Sequence, residues 1–207
     1  MQLKARYGAF GHRSGLGLSI MALVAVAGCD VAGTSRIRTI PIIDGAVVAS
    51  APSGYCISPG AGMRGDDSAV ILMGRCSGAT SASAPPAIIT LSVGPAASAG
   101  VLAGGGEALA AFFQSEAGRA ALAREGRAED VRVLSAAGTD ATFVLHVADN
   151  TTGEYWRAFR GLRGRLATVS VTGSPDAPLT SDQSRSLLDA ALAALDTANR
   201  LPVQPPA

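Results

Sequence analysis

The chain predicts an α+β fold: a single antiparallel β-sheet packed by a middle helix and a C-terminal amphipathic helix. Three observations carry this expectation. Short apolar runs, several alternating with period two and bounded by Gly or Pro, lie on both sides of one helical segment. Residues 180–199 place an apolar stripe behind a capping box. Strands and helices do not alternate one for one, which disfavours a parallel α/β sheet.

The globular domain is expected over residues 46–200. Ahead of it, residues 29–45 lack sustained periodicity and read as a tether, with one short apolar strand at 40–43. AVVASAP (46–52) and GYCISP (54–59) are strand candidates closed by Pro and Gly. GAGMRGDDS (60–68) has the Gly and Asp content of a hairpin loop, and SAVILMGRC (68–76) suits a buried strand. A Ser/Ala/Pro-rich surface loop at 77–86 precedes a further strand, AIITLSVG (87–94).

From 107 to about 125, Leu109, Phe112, Phe113 and Leu122 share one broad helical face, with Gly118 a weak point and Gly126 a stop. VRVLSAAG, ATFVLHVAD and RLATVSVTG read as three more strands, and EYWRAFRGLRGRL (154–166) as a hairpin. Thr180 and Gln183 form the capping box of the last helix, whose stripe is Leu187, Leu188, Ala191, Leu192 and Leu195. LPVQPPA (201–207) cannot continue that helix and is expected to be a disordered tail.

Residues 1–28 have the three parts of an export signal: Lys4, Arg6 and Arg13, an apolar stretch at 16–26, and small residues at Ala27 and Gly28. The apolar stretch falls short of the roughly 20 residues that a spanning helix needs. Val26-Ala27-Gly28-Cys29 resembles the lipobox of bacterial lipoproteins. That resemblance implies cleavage before Cys29, a diacylglycerol thioether on its sulfur and acylation of the new terminus. Several acyl chains anchor stably where one binds only marginally. The expected address is the bacterial cell envelope, facing the periplasm, with Asp30 favouring retention at the inner membrane.

With Cys29 committed to lipid, Cys56 and Cys76 remain as a pair in a compartment where disulfides persist. A structural bridge is the expected reading. Two buried thiols and a redox pair are the alternatives, the latter without the C-x-x-C spacing that tunes a thiolate.

Composition excludes several function classes. Lys4 is the only lysine, so the processed chain has no phosphate-loop lysine and no lysine able to form a Schiff base. Without Lys4, Arg6 and Arg13 it carries 14 basic and 16 acidic residues, too close to neutrality for a partner that must neutralise many nucleic-acid phosphates. Its one histidine, His146, alternates with Phe143, Leu145 and Val147 and is expected on the solvent side of a strand. There is no G-x-S-x-G elbow, and one histidine without a free cysteine makes a poor zinc site. No catalytic residue, metal or cofactor is therefore assigned. Asp66 and Asp67 lack the spacing of a calcium loop and read as a solvated turn.

The most pointed cluster is Trp156 with Arg157, Arg160, Arg163 and Arg165. It reads either as an arginine-covered hairpin or as a recognition surface for carboxylates, phosphates or lipid head groups. The order of elements over about 45–200 also resembles the PsbP-like superfamily, including bacterial DcrB-like lipoproteins. This implies a small auxiliary domain and transfers no catalytic residue. The functional expectation is a non-catalytic, membrane-anchored accessory module that binds an envelope protein or the membrane surface. The alternative is a periplasmic enzyme or small-ligand carrier.

Overall fold

The computed structural model describes residues 37–77, 83–138, 141–174 and 176–200. Residues 1–28, expected to be an export segment, lie outside the described residues, as do Cys29, Asp30, the expected tail at 201–207 and the middle of the 77–86 loop.

Nine strands and three α-helices are described. Strands β1 (Thr39–Ile42) and β2 (Val47–Ser50) pair with each other. Strands β3 (Tyr55–Arg64), β4 (Ala69–Arg75), β5 (Ala87–Val93), β6 (Val131–Gly138), β7 (Thr142–Asp149), β8 (Gly153–Leu162) and β9 (Arg165–Gly173) form a seven-stranded sheet in the order β3-β4-β5-β9-β8-β7-β6. Every neighbouring pair is antiparallel, and the helices are segregated from the strands in the manner of the α+β class. The expected single sheet is thus corrected to two.

The small sheet pairs β1, on the short strand expected within the 29–45 tether, with β2, on the strand expected at 46–52. Ile42 and Ile43 are buried because Ile43, Asp44 and Gly45 all take positive φ, reversing the chain within four residues. The loop expected at 60–68 is likewise shorter. Strand β3 passes through a bulge between Ile57 and Gly62 and continues to Arg64. Gly62 has φ 98°, and a Cβ there would collide with the Val70 carbonyl, so the bulge requires glycine. Cys56 and Cys76 form the expected disulfide, with Cα atoms 5.0 Å apart.

The middle helix is two helices, α1 (Gly105–Gln114) and α2 (Glu116–Leu122), broken at Ser115 rather than at Gly118. Ser115 is extended (φ −68°, ψ 163°). Its Oγ donates to the Phe112 carbonyl at 2.6 Å and accepts from the Gly118 N–H at 3.1 Å. It ends one helix and caps the next. The last helix, α3 (Ser181–Asn199), has the expected reciprocal bonds between Thr180 and Gln183.

Two cores lie on opposite faces of the large sheet. On one face, Leu187, Leu188, Ala191, Leu192 and Leu195 of α3 pack with the β1–β2 sheet onto Ile57, Ile71, Ile89, Leu91, Val169 and Val171. Each fully buried aliphatic side chain there contributes about 2 kcal/mol by leaving water. On the other face, Phe113 and Leu122 pack onto Val131, Phe143, Leu145, Val147 and Tyr155. This second core covers only the β6-β7-β8 half of its face. The β9-β5-β4-β3 half presents Ser170, Thr168, Thr90, Ser92, Val70 and Leu72, with Ile88 exposed beside them and Met63 72% exposed.

Candidate functional site

A cleft of about 410 Å³ opens where the covered half of that face meets the uncovered half. Strand β8 supplies Tyr155 and Arg157, which lie on one face because they are two residues apart. The register places Arg157 beside Ser170 of β9, and Ser170 beside Thr90 of β5. Thr172 extends the row of hydroxyls. Leu122 and Arg124, at and just beyond the end of α2, form one wall, and Asp149 with Thr152 of the β7–β8 turn forms the other.

Arg157 is held in place before any ligand arrives. Its Nε donates to Ser170 Oγ at 2.8 Å, and its guanidinium carbon lies 5.1 Å from the Tyr155 ring centroid. The Nη groups carry no hydrogen bond to any described residue and remain available as donors. Asp149, 6% exposed, turns Oδ1 to the Thr151 and Thr152 N–H groups at 2.7 and 2.9 Å. Those amides hold its charge and close the turn. Arg124 is exposed. Arg124, Arg157 and Asp149 together leave the cleft with a formal charge of +1.

Tyr155 is the anomaly. It is only 4% exposed, and its buried hydroxyl has no hydrogen-bond partner among the described residues. Burial pushes its pKa up and Asp149 adds to this, while Arg157 opposes it, so the phenol stays a neutral donor. An orphaned buried hydroxyl costs about 1–3 kcal/mol, so its persistence calls for an explanation. Tyr55 shows the ordinary outcome: it lines a larger groove beside α3, of about 560 Å³, and its hydroxyl donates to the Pro85 carbonyl at 2.7 Å.

No family model, curated protein or solved structure matches the chain. Any account of its chemistry rests on its own residues.

The structure divides the arginine cluster read from the sequence. The 154–166 hairpin is present, but its side chains alternate between the two sheet faces. Arg157 faces the cleft, while Trp156 points to the α3 side. There its indole stacks on His146 at 4.3 Å, donates to Ser181 Oγ at 3.2 Å and lies under the Arg185 guanidinium. Arg160 pairs with Asp196 of α3 at 2.7 Å and donates to Thr142 Oγ1. Arg163, in the tight turn at φ 51°, donates to the Asn199 carbonyl at 3.3 Å. Arg165 pairs with Asp67 at 2.5 Å and donates to the Asp67 and Gly94 carbonyls. Asp67 is exposed, as expected of a solvated turn, and in addition ties two loops together.

His146 has its Nε2 3.3 Å from Glu154 Oε2, close enough for attraction but not aligned for a hydrogen bond. Its ring is spent on Trp156. Among the described residues no three His, Cys, Asp or Glu side chains converge as a metal site, and no helix is long and apolar enough to cross a membrane. Sequence reading missed Tyr155, Asp149, Arg124 and the hydroxyl row. One signal was present: period two along β8 puts Tyr155, Arg157 and Phe159 on one face, setting an arginine between two aromatic residues.

Proposed function

We propose that this chain is a lipid-anchored domain of the bacterial cell envelope, facing the periplasm, that works as an accessory binding module rather than as a catalyst. The observation that carries the address is the Cys56–Cys76 disulfide. It favours an oxidising compartment and leaves Cys29 as the odd cysteine, at the end of the lipobox-like Val26–Cys29 sequence. Asp30 directs the anchored protein to the inner membrane. The order of strands and helices supports the likeness to PsbP-like and DcrB-like auxiliary domains.

Binding is supported by the half of the sheet face on which no described α-helix packs and by the cleft at its margin. Of the sequence-predicted arginines, Arg157 is the one with donors to spare there. Arg160 and Arg165 are already engaged by carboxylates of the same chain. The cleft favours a second reading within the same address, a small-ligand carrier.

The anchor is tested by metabolic labelling with a fatty-acid analogue in a bacterial host. Label and membrane retention are expected for the native chain and are lost together on Cys29→Ala. Unchanged labelling of the variant would reject the anchor.

A further inference from the structure

We infer that the cleft between the end of α2 and strands β8, β9 and β5 is a binding site for a small oxyanion, a carboxylate or phosphate compound of metabolite size. This deepens the binding-module reading above, and its support is the cleft alone.

Two features converge on an oxyanion. Arg157 presents a planar donor fork whose orientation is fixed by Ser170 and the Tyr155 ring, so little freedom is lost when an anion docks. Arg124 at the rim adds a second positive charge, and Thr90, Thr152, Ser170 and Thr172 surround the space with hydroxyls that adapt to ligand donors or acceptors. Asp149 is the opposing charge. Its Oδ1 is turned to the Thr151 and Thr152 amides, and the net charge of the cleft stays positive.

The volume of about 410 Å³ sets the size class. Ligand pockets run from about 300 to 1,000 Å³, so this one takes a compound of a few carbons and excludes an extended polymer from full burial. A phospholipid head group and a soluble phosphate or carboxylate share the chemistry that the cleft recognises.

The experiment is a titration of the full-length chain in detergent micelles, read from the Arg157 Nε–Hε resonance, with chloride matching the ionic strength. Inorganic phosphate, citrate and short-chain phosphatidylglycerol are the probes. A saturable shift with at least one is expected. Arg157→Gln should weaken that binding by roughly tenfold or more, read from the surrounding backbone amides.

Tightest binding of phosphatidylglycerol assigns the site to a head group, and tightest binding of phosphate or citrate to a soluble metabolite. Either supports the site. Absence of saturation with all three probes overturns it, as does native affinity in Arg157→Gln. The fatty-acid label reads the anchor independently, so failure of one proposal does not imply failure of the other.

Discussion

Asp67 illustrates how far a single residue departs from its sequence context. In GMRGDDS it looks solvated, yet its carboxylate pairs with Arg165, 98 residues away, and accepts from the Ala96 N–H. The Arg165 hydrogen bond is the main cause of its lowered pKa, with the Ala96 amide acting in the same direction. A lowered folded-state pKa means that folding favours the ionised form. The pair therefore adds stability above the unfolded value of about 4, and loses it as pH falls through the lower folded value. Asp67→Asn is expected to flatten the acid limb of the stability curve below about pH 4, measured by urea unfolding at successive pH values. An acid limb as steep as that of the native chain would count against this assignment. Arg157 is the converse case: its Nη groups carry no hydrogen bond to any described residue.

At the scale of elements, side chains stand in for backbone where regular structure ends. The final residue of α3, Asn199, is 6% exposed. Its Oδ1 accepts from the Val48 N–H at 2.9 Å, and its Nδ2 donates to the Val48 carbonyl at 2.7 Å and to the Leu195 carbonyl at 2.8 Å. The amide thus behaves as one more strand residue beside β2 and locks the small sheet to the helix. Asn199→Ala is expected to cost about 2 kcal/mol or more, because it strands the backbone groups of Val48 in a half-buried place. Equilibrium urea denaturation measures this, and a loss below half that size would show that water replaces the amide. The disulfide works at the same scale. It closes a loop spanning 20 positions between β3 and β4, a constraint that the chain-entropy model puts at roughly 3 kcal/mol.

Across the whole molecule, one sheet serves two cores. Ala158 of β8 belongs to the α3 core, while Tyr155 and Phe159 of the same strand meet the α1–α2 core. A strand that feeds both should make them melt together. Phe113→Ala is expected to cost about 3–5 kcal/mol and Leu188→Ala about 2–5 kcal/mol. Each should move a single transition monitored by far-UV circular dichroism and by Trp156 fluorescence. Two separated transitions in either variant would refute the coupling. Among the described residues, the same division of the sheet leaves half of one face without an α-helix on it, and the cleft lies at that boundary.

Much of the fold was legible. The capping box and stripe of α3, the alternation of β7 and β9, and the cysteine pairing all follow from local rules. The break at Ser115 was also local, an S-E-A-G cap signal masked by apolar residues that continue the same face. Less legible were the tie from Asp67 to Arg165 and the row of Arg157, Ser170 and Thr90, because both depend on strand register. A one-residue slip would turn every side chain of a strand to the other face, and no local signal records which strands become neighbours.

What the sequence by itself determined was therefore the local inventory: strands, caps and one cysteine pair. Only the tertiary structure decided that Trp156 and Arg157, adjacent in the chain, serve opposite faces. It also decided that the Tyr155 hydroxyl is buried without a hydrogen-bond partner among the described residues, beside a guanidinium whose Nη groups meet no described acceptor. The physical reason is that period and capping are properties of neighbours along the chain, whereas a site is made by long-range pairing that brings distant side chains into one cleft.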